Sequence, residues 1–252
     1  MGLRALNNPN SSFEDVFSNT GILVAAAPPV DIPIDIDDTD LQHYWNAIPA
    51  AVSGNVVTDS TGSGNDITAQ WSVSYDSVTR GGEIPVTTDD STGYFAFGSD
   101  VTFGSGYTDQ EWTFFWCGEK SETAWWMWAT GSDANNFLGY SGSSLRLDSN
   151  QDVKGDLTGY SSMSNDTLYC VYVTMASNGA MEWYVNGSSV GSTTYSGTWS
   201  NDNVIFDSLN HYDGSGSLQT GGKYYFAGFY SRVLSGAEVS TNWTAHETRL
   251  GI

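Results

Sequence analysis

The sequence predicts an all-β fold, a sandwich or barrel with an extended N-terminal arm and one short C-terminal helix. Three observations carry this. Aromatic residues make up 14 % of the 252 residues, with 10 Trp and 14 Tyr, and such side chains fit the half-buried, pleated surface of a strand. Glycine is abundant, at 28, while charged residues are only 15 %, a balance that suits tight turns better than long helices. The apolar runs are short and are separated by Gly, Ser, Asn and Asp clusters, the rhythm of a sandwich or barrel rather than of alternating βαβ units.

The elements follow in order. Five prolines (Pro9, Pro28, Pro29, Pro33 and Pro49) fall in the first fifty residues and only Pro85 lies beyond. Steps into proline push a chain toward extended geometry, so residues 1–40 read as an extended arm. Its Ile32, Ile34 and Ile36 alternate with Asp, which places them on one face of an extended segment. A docked arm is preferred to a solvated acidic linker. Residues 41–252 form the sandwich. Its clearest strand candidates are 93–97, 112–117, 124–128, 168–175, 181–185 and 224–230. Asn178-Gly179 and Asn186-Gly187 are hairpin signals, because both central residues of a type I′ turn need positive φ. Ser235 and Glu238 have the spacing of a capping box that opens a helix, and Val239 and Trp243 would line its inner face.

Charge narrows the partners. There are 29 acidic against 8 basic residues, a formal net charge of −21. Nucleic-acid binding needs cations to replace phosphate counterions, and an anionic membrane surface would repel this chain. Both are excluded as partners. Self-repulsion of this size is best tolerated in salty surroundings, where the Debye length falls below about 8 Å. The longest apolar stretch, 21–30, is about half a membrane span and holds two prolines, so no membrane insertion is expected. The start has polar residues where a secretory signal needs an apolar core. Cys117 and Cys170 each sit in an apolar run and read as two buried thiols in preference to a bridge.

Three segments, taken in order, resemble the concanavalin A-like family that includes laminin G and pentraxin domains, and the resemblance implies a two-sheet antiparallel jelly-roll sandwich. Residues 41–68 show an opening strand, an Asp-Ser-Gly turn and a small-residue strand; "LYCVYVTMASNGAMEWYVNGSSVGS" (168–192) matches the family hairpin; "YYFAGFYSRVLSGAEVSTNW" (224–243) matches the closing strand and helix. Pentraxins bridge two strands near the positions of Cys117 and Cys170. The offsets here look shifted, and a one-residue shift reverses a strand's face, so that bridge is not carried over. Family members often hold calcium or sugar in loops at one edge. The resemblance therefore points to 207–213, where Asp207, Asn210 and Asp213 offer the hard oxygen ligands that Ca2+ takes and Tyr212 offers a sugar-stacking ring. Ordinary turn formers are the competing reading, and no cofactor is required. Trp126 and Trp128, on one face of an ideal strand, are the candidate sugar platform, with plain packing as the alternative.

Retaining glucanases on this fold carry an E-x-D-x-x-E strand, and such enzymes need two carboxylates about 5–5.5 Å apart. That pattern is missing, so the expectation is that the chain is no enzyme. Residues 1–21 resemble N-terminal segments of structural proteins in tailed phages. With the arm, this resemblance implies a virion surface protein, a capsid decoration or fibre, assembled in the host cytoplasm. It would be anchored to other virion proteins through Phe13, Val16 and Phe17, would form a homo-oligomer, and would turn its sandwich outward to host glycans. The alternative is a free carbohydrate-binding lectin module with no assembly role.

Overall fold

The computed structural model describes residues 36–46, 52–53, 56–70, 73–75, 86–88, 94–102, 111–120, 124–129, 136–141, 143–149, 152–158, 160, 163–195, 205–209 and 223–252. Within them the apolar runs become strands: β1 (Leu41–Asn46), β2 (Val52–Ser53), β3 (Val56–Val57), β4 (Ile67–Gln70), β5 (Val73–Tyr75), β6 (Val86–Thr88), β7 (Tyr94–Thr102), β8 (Trp112–Glu119) and β9 (Ala124–Ala129). The second half adds β10 (Asn136–Ser141), β11 (Ser144–Ser149), β12 (Asp152–Thr158), β13 (Leu168–Met175), β14 (Ala180–Val185), β15 (Ser188–Thr194), β16 (Ile205–Leu209) and β17 (Lys223–Tyr230). One helix follows, α1 (Gly236–Leu250).

The strands pair into two antiparallel sheets. One runs β12-β11-β10-β9-β16-β7-β4-β3-β2, and the other β15-β14-β13-β8-β17-β6-β5 with β1 also on β17. In the second sheet β17 meets β8 along one edge. Its other edge is divided, Lys223 and Tyr224 pairing with β6 and the stretch from Phe226 to Tyr230 with β1.

Strand alternation sorts the side chains into layers. Trp112, Phe114 and Trp116 of β8, with Val171, Val173 and Met175 of β13, fill the core between the sheets. Phe115 and Cys117 of β8, with Cys170 and Tyr172 of β13, point the other way into a second apolar layer. Helix α1 closes that layer with Val239, Trp243 and Leu250. The order is thus sheet, sheet, helix, and β8 is buried throughout, its apolar run 114–117 filling both faces.

Local signals in the sequence are realised. Ser235 caps α1, its hydroxyl accepting from the Glu238 amide while the Glu238 carboxylate accepts from the Ser235 amide. Asn186 and Gly187 take φ of 49° and 73°, the type I′ turn joining β14 to β15. A Cβ at Gly187 would stand 2.7 Å from Trp243, so this turn also seats the helix.

Two expectations are affected. Cys117 and Cys170 are direct cross-strand partners on β8 and β13 and are joined as a disulfide, which corrects the reading of two thiols. Pairing across 53 residues of sequence depends on long-range register, which no local offset reveals. The last residues assigned to the arm are tied to the body: Ile36 is buried in the layer beneath α1, and Asp37 pairs with Arg232 at 2.7 Å while its amide donates to Asn242.

Candidate functional site

Trp128 does not face a ligand. It is fully buried between the sheets, with ring centroids 4.6 Å from Phe114, 5.4 Å from Phe97 and 5.6 Å from Trp45. This corrects its assignment to a sugar platform. The backbone register next to Trp128 is irregular. Trp128 stands opposite Leu138 and Trp126 opposite the adjacent Gly139, because an extra residue in β9 interrupts the alternation. The Trp126 side chain lies outside the described residues, as do Asn210, Tyr212 and Asp213 and the anchoring candidates Phe13, Val16 and Phe17. Asp207 is half-buried on β16, its carboxylate accepting from the Ser208 hydroxyl at 2.7 Å. Among the described residues no carboxylate cluster gathers around it.

The turn between β3 and β4 does gather Asp, His and Ser. Asp59 accepts from the Tyr44 amide at 3.1 Å, the Thr61 amide at 3.0 Å and the Thr61 hydroxyl at 2.8 Å, and also from the Ser63 hydroxyl. Its other neighbour is His43 Nδ1, at 2.8 Å. Burial would raise the Asp59 carboxyl, but the hydrogen bonds from His43, Ser63, Tyr44 and Thr61 outweigh it and hold the group below the usual carboxylate range. A nucleophilic triad needs His to bridge, one ring nitrogen to Asp and the other to Ser. Here Ser63 lies 2.9 Å from the same Nδ1 that meets Asp59, so the group is a clasp that fixes the turn.

A concave site lies elsewhere, on the outer face of the eight-stranded sheet. Met181, Trp183 and Val185 of β14 fill the inter-sheet core, which turns Glu182 and Tyr184 outward. Register extends these positions into rows. Thr113, Thr174, Glu182 and Ser192 stand opposite one another across β8, β13, β14 and β15. The next row is aromatic, with Phe115, Tyr172 and Tyr184, and the one after holds Cys117 and Cys170. Helix α1 covers the aromatic and cysteine rows; in the polar row Thr113 and Thr174 are buried, while Glu182 is half-buried and Ser192 exposed. The result is a cleft of about 510 Å3 lined by Thr174, Glu182, Tyr184 and Ser192 on the sheet and by Leu234 and Ser235 before the helix. Thr113 anchors that last segment, donating to the Arg232 carbonyl at 2.9 Å and accepting from the Leu234 amide at 3.0 Å. Ser189 donates to the Glu182 carboxylate. Burial, and then Glu182, push the Tyr184 hydroxyl up, so it stays protonated as a donor. Sequence reading treated 181–185 only as half of a hairpin, although its alternation already set Glu182 and Tyr184 on one face.

No family model matches the sequence, and no curated protein matches it. The fold is shared more widely. Trypanosoma rangeli sialidase in complex with sialic acid matches 85 % of this chain at 13 % identity with a TM-score of 0.61. This chain spans only 34 % of that protein's length. Domain 4 of a GH43 extracellular arabinanase from Geobacillus stearothermophilus, in complex with arabinotriose, is matched over 98 % of its length and 81 % of this chain, at 14 % identity with a TM-score of 0.60. Likeness at this level concerns the fold: this chain is a β-sandwich of a kind found within carbohydrate-active proteins. The expectation that the chain is no enzyme is corrected at this point. It rested on one missing acidic motif, whereas folds like this one are carried by sialidases and an arabinanase, so the missing motif does not set the chain apart from enzymes.

Proposed function

We propose that this chain is a carbohydrate-binding sandwich of the concanavalin A-like type, and that it takes an oligosaccharide in the cleft beside the N-terminus of α1. The observation that carries this is the half-buried Glu182 carboxylate and the exposed Ser192 hydroxyl, beside Thr174, in a cleft whose volume falls within the ~300–1,000 Å3 of small-ligand sites. A carboxylate and hydroxyls spaced along such a row match the alternating donors and acceptors of a sugar, and the edge of Tyr184 offers an apolar contact. The similarity to an arabinanase domain bound to arabinotriose supports the ligand class. The test is calorimetric titration of the full chain with oligosaccharides, beginning with arabino-oligosaccharides, after a glycan array. Glu182→Ala is expected to weaken binding about 10- to 100-fold, the scale of a lost hydrogen bond to a charged group. An array without hits, or unchanged affinity in the variant, would sink the reading.

A narrower placement on a virion surface draws its support from the resemblance of residues 1–21 alone. In that reading the arm anchors through Phe13, Val16 and Phe17 and the cleft faces host glycans. Changing those three residues to Ser should abolish incorporation into particles, and retained incorporation would remove the placement while leaving the glycan reading standing.

A further inference from the structure

The geometry points to a zinc site formed by Cys117, Cys170 and His246 once the bridge between the cysteines is opened. The two sulfurs come from neighbouring strands of the eight-stranded sheet, and the imidazole comes down onto them from α1. The sulfurs and a ring nitrogen of His246 lie within 4.8 Å of one another, and all three residues are fully buried. Two thiolates and one imidazole, completed by a fourth ligand such as water, are a donor set that Zn2+ accepts at about 2.3 Å for sulfur and 2.0–2.1 Å for nitrogen.

The independent observation is His246 itself. It is 0 % exposed, and neither ring nitrogen has a hydrogen-bond partner among the described residues. An imidazole buried without hydrogen-bond partners leaves polar atoms unsatisfied, which ordinarily calls for an explanation. Its surroundings are aromatic, with Phe226 at 4.7 Å, Phe115 at 5.7 Å and Tyr44 at 6.3 Å between ring centroids. Charge balance agrees: Zn2+ with two thiolates and a neutral imidazole is uncharged, which suits a layer that could not hold an unpaired ion.

The chemistry needs a reductant, and a small thiol supplies it. The sulfur–sulfur bond takes two electrons and two protons from two thiol molecules, giving two cysteine thiols and one external disulfide. Zn2+ then displaces both protons as the two zinc–sulfur bonds form. The bridged and metal-bound states therefore exclude each other.

The full chain, reduced with a phosphine under argon and desalted, would be given Zn2+ and examined by native mass spectrometry and zinc K-edge absorption. One zinc per reduced chain is expected, none per bridged chain, and a shell containing two sulfurs and at least one nitrogen. A reduced chain that retains no zinc, a bridged chain that retains as much, or a shell without sulfur would overturn the proposal. His246→Gln, checked for folding by near-ultraviolet circular dichroism, should lower zinc affinity by at least about tenfold, the scale on which even outer-shell losses act. Unchanged affinity in a folded variant would also overturn it. Should that variant not fold, the shell seen in the unaltered chain decides.

Discussion

Asp59 and His246 are both buried ionisable groups, 2 % and 0 % exposed, and their surroundings are opposites. Around Asp59, hydrogen bonds from Tyr44, Thr61 and Ser63 and the contact with His43 replace the water that burial removed, and the carboxylate stays charged. Around His246 there are rings and sulfurs, and the imidazole stays neutral. Burial alone therefore does not fix protonation; the supply of partners does. The first arrangement has the character of a structural clasp, complete in itself. The second is incomplete by the same measure, which is why it draws attention as a place for a ligand.

Substitutions test this contrast most directly at Asp59. Asp59→Ala would strand the Tyr44 and Thr61 amides together with His43 and Ser63, and is expected to lower stability by about 3–5 kcal/mol in urea unfolding. A loss under ~1 kcal/mol would mean the turn holds without its clasp. His246→Leu should have the opposite sign. With no hydrogen bond to lose, the bridged chain is expected to gain roughly 1 kcal/mol, and a clear loss would reveal a partner for the ring. The smallest effect concerns acid. The Asp59 carboxyl is held below 3.8 in the folded chain, so its contribution is fully present above that pH and disappears as pH falls through the lowered folded value. Asp59→Asn should flatten the dependence of unfolding free energy on pH in that acid range, and an unchanged slope would assign the acid limb to other groups.

Legibility in the sequence followed distance along the chain. The helix was readable because Ser235, Glu238, Val239 and Trp243 lie within nine residues, and the hairpin because Asn186 and Gly187 determine their own turn. The β-sandwich followed from short apolar runs broken by turn clusters, which are equally local. The cleft was not readable, since Thr174, Glu182 and Ser192 become neighbours only through the register of three strands. Nor was the disulfide, for the same reason at longer range. The tryptophan platform failed at Trp128 for a different cause: sequence alternation does not say which face of a strand is core, and Trp128 points into it.

The placement of β17 has a consequence for how this molecule comes into being. Residues 223–230 fill the gap between β8, made more than a hundred residues earlier, and β1 and β6, made earlier still. A ribosome extending this chain must therefore hold out a sheet whose middle is missing, with the edges of β1 and β8 unpaired until the last strand emerges. Closure is then a late, non-local event, of the sort that makes β-sandwiches slow to fold and exposes their half-built edges to aggregation on the way.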